Sequence, residues 1–220
     1  MALEYKTTIR NRMDVIAPLV RSGRVLDLGI VDSRRERHRT EDRLEKLPNL
    51  LFRQICEINP ATVGVDIDEE GIEILARQGY QVMAGDVTKI DLGEQFDTII
   101  AGEIIEHLED PGLFLRNMRK HLHPTGVLVI TTPNPFYFKQ VWKIFRRNRP
   151  QVHEEHTCWF DPITLNHLCE VCGFQTQACY WIQKNTCSFK TWPRLLRNYF
   201  SHSFLLVVKP RPCRHSEQQP

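Results

Sequence analysis

What the chain lacks narrows it first. No apolar run approaches the ~20 residues that a membrane-spanning helix needs. No charged-then-apolar leader opens the chain, because Lys6, Arg10, Arg12 and Asp14 interrupt the stretch from Met1 to Leu19. A cytoplasmic protein is expected. The seven cysteines are an odd number scattered through apolar segments, so a disulfide framework is not expected and the thiols should be reduced. Cys169-x-x-Cys172 has no second Cys-x-x-Cys to complete a site. It lies in the helical pattern Ile163, Leu165, Leu168, Val171, so both cysteines read as packing residues. Charge of one sign is also scarce: 29 Lys and Arg against 27 Asp and Glu leave +2, too little to imply a polyanion partner. No internal repeat is visible.

What is present is the composition of one globular domain: 220 residues, 41% hydrophobic and 25% charged. That domain is taken as residues 1–208, with a proline-bearing tail, 209–220, expected to be disordered. Short apolar runs alternate with helical patterns. Val25-Leu26 leads to Asp27-Leu28-Gly29, Thr62 to Val65 to Asp66, and Gln81 to Met83 to Gly85-Asp86-Val87. Phe96 to Ala101 and Val127 to Thr132 come next, with a helix from Leu113 to Leu122 between them. Strand and helix in this order predict a parallel sheet covered by helices on both faces. A helix from Pro162 to Cys172, ended by Gly173, precedes two last strands, Gln175 to Ile182 and Ser203 to Val208. The link between those two is short for a crossover, so an antiparallel pair is expected. Residues 31–49 carry six basic and five acidic side chains and read as a solvated insertion or flap.

Ligands bind at the carboxyl edge of such a sheet. Three successive strand ends there carry acids. Asp27 with Gly29 offers an acceptor for an ammonium beside a close backbone approach. Asp66 offers a carboxylate able to accept both hydroxyls of a ribose, and Asp86 an acceptor for an adenine amino group beside the apolar Val87. Each alone is as well explained as a turn or a helix cap. Three in sequence describe an adenosine site.

At these residues the chain resembles the class I S-adenosylmethionine-dependent methyltransferases, through VLDLG, VGVDID, GDVTKIDL, FDTIIAGEIIEHLEDPG and LHPTGVLVITTPN. The resemblance implies a Rossmann-like, three-layer αβα fold with a seven-stranded, mostly parallel sheet whose last strand is antiparallel. It also implies S-adenosyl-L-methionine as cofactor, with Asp27 and Gly29 at its methionine end, Asp66 and Ile67 at the ribose, Asp86 and Val87 at adenine, and Ala101 to Glu103 closing the site. The family's further glycines after Asp-x-Gly are missing here. Ile30 and Val31 stand in that loop, where their side chains would crowd a cofactor. They are also the feature that favours an alternative, a methyltransferase-like module that binds a partner without catalysis. A nicotinamide dehydrogenase would want Gly-x-Gly-x-x-Gly after the first strand, which this chain lacks.

The segment GEIIEHLEDP places Glu103, Glu106 and His107 at i, i+3 and i+4, which would share one face of a helical turn. It resembles the metal-binding stretch of the O-methyltransferases of ubiquinone biosynthesis and of those that methylate 2'-hydroxyls at small-RNA ends. By the latter resemblance His156, beyond the TTPN turn, is the fourth ligand to a divalent metal such as Mg, Mn, Fe or Zn. Without a metal, His107 or His156 would serve as general base on an acceptor hydroxyl.

The acceptor is the open part of the reading. Small net charge and the lack of a separate nucleic-acid module favour a small-molecule, glycan or lipid-linked hydroxyl over RNA. Residues 136–152 bear on this, because they hold Lys139, Lys143, Arg146, Arg147 and Arg149 and no acid. Phe138, Val141, Trp142 and Phe145 fall on one helical face opposite Lys139, Lys143 and Arg146. Packing of that face on the sheet is the first expectation; peripheral membrane contact and an anionic-ligand clamp are the alternatives.

Overall fold

A computed structural model describes residues 5–31, 50–149, 153–183 and 201–212. Among them the strands are β1 (Tyr5–Ile9), β2 (Val25–Leu28), β3 (Val63–Asp66), β4 (Gln81–Ala84), β5 (Phe96–Gly102), β6 (Leu122–Pro133), β7 (Phe174–Ile182) and β8 (Ser203–Pro210). The helices are α1 (Met13–Val20), α2 (Leu51–Ile58), α3 (Glu69–Arg77), α4 (Pro111–His121), α5 (Phe138–Arg147) and α6 (Pro162–Val171), with a 3₁₀ turn at Ile105–His107. The strands form one sheet in the order β1-β7-β8-β6-β5-β2-β3-β4. All pairs are parallel except the two that flank β8.

The sheet is built by residues that are apolar on both faces, as strands covered on both sides require. Successive side chains alternate between the two. Leu26, Leu28, Ile99, Ala101, Leu128, Ile130, Leu206 and Val208 pack toward α4 and α6. Val25, Ile100, Val127, Val129, Leu205 and Val207 pack toward α1 and α2. Caps fix the helix starts: Asp68 accepts from Gly71 N, Asp110 from Leu113 N, and Asp161 forms a capping box with Thr164. Cys169 and Cys172 are both buried in the core, as the helical pattern predicts, and burial pushes the Cys169 thiol up to about 12.

Several expectations change. The sheet has eight described strands rather than seven. The extra one, β1, pairs with β7 at the edge, and its sequence YKTTI is too polar to stand out. The expected disordered tail begins too early at 209, since Lys209 and Pro210 pair with Gln175 and Phe174. Of the charged insertion, Val31 is buried; residues 32–49 lie outside the described residues. The basic aromatic segment does form a helix, yet none of its side chains is buried; residues 150–152 lie outside the described residues.

Candidate active site

The chain leaves β2 toward α2 and β3 on one side, while β5 pairs on the other, so a crevice opens at the carboxyl ends of β2 and β5. A cleft of about 700 Å³ occupies it, within the range of small-molecule sites. Asp27, Gly29, Asp66, Ile67, Asp86, Val87, Glu103, Glu106, His107 and His156 all line it. Ala101 does not. It is fully buried in β5, where it pairs with Leu28 and Ile130, so its side chain belongs to the core.

At the first strand end Gly29 turns with φ 71°, a conformation that favours glycine, and its N–H donates to Val65 O at 2.9 Å. Ile30 and Val31 border the cleft, but most of their surface is packed away from it. They are 2% and 4% exposed and join Phe52, Cys56, Ile72 and Leu75 beneath the loop. Two glycines make the room: a Cβ at Gly64 would stand 2.6 Å from Ile30 Cδ1, and one at Gly71 2.6 Å from Val31 Cγ1. The loop's missing glycines are thus answered by small residues in the elements below it.

The strand-end acids are held by the chain itself. Asp66 Oδ2 accepts from Val31 N at 2.7 Å and Oδ1 from Asp68 N at 3.0 Å. Burial nonetheless raises its pKa, with those two hydrogen bonds opposing. Asp86 Oδ1 accepts from Thr88 N and Oγ1 at 2.9 and 2.6 Å, and Lys89 Nζ lies 3.0 Å from Oδ2; the Thr88 bonds hold its pKa low. Both therefore act as turn caps, the plainer of the two readings, yet a carboxylate has about four acceptor positions and these are not exhausted. Asp27 is buried, which pushes it up to about 7 against the opposing charge of Arg12. Arg12, at the start of α1, also lines the cleft. Sequence reading missed Arg12 because it precedes the first recognisable strand.

The other end of the cleft is organised by Glu106. It is 2% exposed, its Oε2 accepts from Thr132 Oγ1 at 2.9 Å, and burial pushes it up to about 7. The segment from His153 is pinned onto the 3₁₀ turn by Thr157, whose N–H donates to Glu106 O at 2.9 Å and whose hydroxyl lies 2.6 Å from Leu108 O. That tie brings His156 to His107, with ring centroids 4.7 Å apart and nearly perpendicular. Ligand atoms of Glu106, His107 and His156 all lie within 4.8 Å of one another. Burial lowers the pKa of both imidazoles, that of His156 to about 4, with the other histidines adding to it there. Neutral imidazoles can ligate a metal or accept a proton.

Glu103 lines the same cleft and its charge acts on Glu106 and His107, but it is not one of these three clustered ligands. The segment is not one helical turn with three residues on one face: Glu103 takes φ 55°, outside the turn, and its side chain is exposed. His153 was not singled out, although its ring lies 5.5 Å from that of His156 and 6.0 Å from that of His107. The signal was its place in the same His-Glu-Glu-His run.

A mostly parallel sheet with one inserted antiparallel strand, and a cleft lined by acids at three strand ends, define a Rossmann-like protein of the class I methyltransferase fold. Comparison with known proteins agrees. The methyltransferase domain family matches residues 4–178, and the chain belongs to that family. It is similar to a ubiquinone biosynthesis O-methyltransferase of Azorhizobium caulinodans, 37% identical over 97 residues, which is 39% of this chain and 36% of that one. A protein of the same name from Bartonella tribocorum is 25% identical over 168 residues, 72% of this chain and 57% of that one. The first of these matches thus spans about a third of the relative's length. A SAM-dependent methyltransferase structure from Archaeoglobus fulgidus superimposes with a TM-score of 0.63 over 90% of this chain and 91% of that one, at 18% identity.

Proposed function

We propose that this protein is an S-adenosylmethionine-dependent methyltransferase that acts on oxygen. The observation that carries this reading is the two-ended cleft, with acids at three strand ends on one side and the Glu106, His107, His156 group on the other. Asp66 and Ile67 would meet the ribose, Asp86 and Val87 the adenine, and Gly29 the methionine backbone. Arg12, beside Asp27, is the cation that would face the cofactor's carboxylate. The packing of Ile30 and Val31 against Phe52 and Ile72 supports this reading over a non-catalytic module.

Methyl transfer is an in-line displacement. The acceptor oxygen's electron pair forms the new bond to carbon, the carbon–sulfur pair returns to sulfur, and the acceptor's proton must leave. An alcohol is a weak nucleophile until that proton is taken. His107 and His156 are the imidazoles placed in the cleft to take it, His107 being the stronger candidate because burial and the neighbouring histidines lower His156 to about 4. Thr132 orients Glu106, and Thr157 fixes His156 against His107. The carboxylate and two imidazoles also suit a divalent metal, which when bound would lower the acceptor's pKa. The relatives named for ubiquinone O-methylation support oxygen as the acceptor atom. We extend this to a small-molecule, glycan or lipid-linked hydroxyl, and to a cytoplasmic setting. Among the described residues no helix is long and apolar enough to cross a membrane.

Calorimetric titration with S-adenosylhomocysteine, after EDTA and again with added Mn, tests the reading. Micromolar binding, about 8 kcal/mol, is expected in both runs, and in a parallel assay with S-adenosylmethionine and a hydroxyl acceptor, added Mn is expected to raise methyl transfer. No binding in either run overturns the assignment.

A further inference from the structure

Helix α5 leaves the sheet close to the cleft. Pro133, the last residue of β6, lines the cleft, and Asn134 anchors the chain that leads into the helix. Its N–H donates to His202 O at 2.9 Å, its side chain to Ser201 O at 2.9 Å, and its Oδ1 accepts from Phe136 N at 3.0 Å. The helix therefore starts from a fixed base at the mouth.

Its residues sort into an apolar side and a cationic side at 3.6 residues per turn. Phe138, Val141 and Ile144 are half-buried and form the side turned toward the protein. Lys139, Lys143, Arg146 and Arg147 are exposed on the opposite side, and the next cation, Arg149, comes after the left-handed Asn148 that ends the helix. On the same apolar side as Phe138, Trp142 is 68% and Phe145 82% exposed, and Phe136, 53% exposed, precedes them. Residues 136–149 hold no Asp or Glu. The expected packing of this face on the sheet is thus only half met: one edge rests on the protein, and the two largest aromatics do not.

An exposed aromatic edge flanked by a wholly cationic stripe is the pattern of a helix lying in a membrane interface, its rings among acyl chains and its bases at anionic headgroups. A single-stranded nucleic acid would want aromatics interleaved with the cations on one face, so that bases stack while phosphates pair. Here the two are segregated. We propose that α5 docks this protein on an anionic lipid surface through Trp142, Phe145 and Phe136, with Lys139, Lys143, Arg146 and Arg147 at the headgroups, setting the cleft mouth against the bilayer.

The test is co-sedimentation of the full chain with phosphatidylcholine vesicles, with and without phosphatidylglycerol. Partitioning at least tenfold stronger on the anionic vesicles is expected, with a loss of at least tenfold in Trp142→Ala/Phe145→Ala and in Lys139→Glu/Lys143→Glu. S-adenosylhomocysteine titration and thermal melting of the same preparations should not change, which separates failure of docking from failure of the proposed methyl transfer. If the aromatic pair proves needed for folding, quenching of tryptophan emission by chain-brominated lipids, lost in Trp142→Phe, reads the same contact. Equal partitioning onto neutral and anionic vesicles overturns the proposal. So does retention by the aromatic double variant, or preferential capture by single-stranded RNA.

Discussion

The two ends of the cleft are built on opposite plans. At the strand-end side the acids are already engaged: Asp66 receives two backbone N–H groups and Asp86 a threonine and a lysine. At the other side Glu106 is buried with one hydroxyl on its carboxylate, facing two imidazoles that burial keeps neutral. The first end is held in shape by the chain's own hydrogen bonds and loses little freedom when a ligand arrives. The second keeps lone pairs in reserve, and such groups are where proton or metal chemistry is found.

That contrast is open to direct attack. The largest effect is expected from Glu106→Gln and His107→Ala, which should each lower turnover at least about a hundredfold while S-adenosylhomocysteine affinity stays within about threefold. A parallel collapse of affinity would mean that the ends are not separable. Next comes Asp27, whose folded pKa of about 7 lies above its ordinary value. A raised carboxyl contributes stability that is complete below pH ~4 and is lost as pH rises to about 7, because the folded state still holds a proton that the unfolded state has released. Asp27→Asn should therefore melt higher than the parent at pH 8, by about 2–4 kcal/mol at most, and match it near pH 4. Denaturant unfolding at the two pH values reads the difference.

Asp66→Ala is expected to act at both levels in moderation. It strands the Val31 and Asp68 amides, costing about 1–3 kcal/mol, and weakens S-adenosylhomocysteine about tenfold. The smallest effect should be that of Glu103→Gln, which leaves metal affinity, measured by calorimetry, within about threefold. A loss matching that of Glu106→Gln would return Glu103 to the ligand group.

The strand-end acids were legible in sequence because the sheet imposes them. Apolar runs buried on both faces announce strands, and the residues just past each run must lie at the carboxyl edge. The closeness of Glu106, His107 and His156 was legible through motif and spacing, but the placing of Glu103 on the same helical face was not met. Spacing of i and i+3 presumes one continuous turn, and Glu103 adopts a left-handed backbone instead. The fate of Ile30 and Val31 could not be read locally, since it depends on Gly64 and Gly71, brought beneath them by the fold. β1 was invisible for a similar reason: as an edge strand it owes its place to β7, far along the chain.

The position of β8 carries a consequence for how the molecule is made. Near the end of the described chain, it lies between β6 and β7, and among the described residues β1 joins the sheet only through β7. Until residues 203–210 are synthesised, the β2 to β6 half can assemble around the cleft, but β1 and β7 have no partner linking them to it. Loss of this one strand would sever the sheet into a five-strand piece and a two-strand piece, so a stop codon before Ser203 should give a chain that aggregates at its open β6 edge.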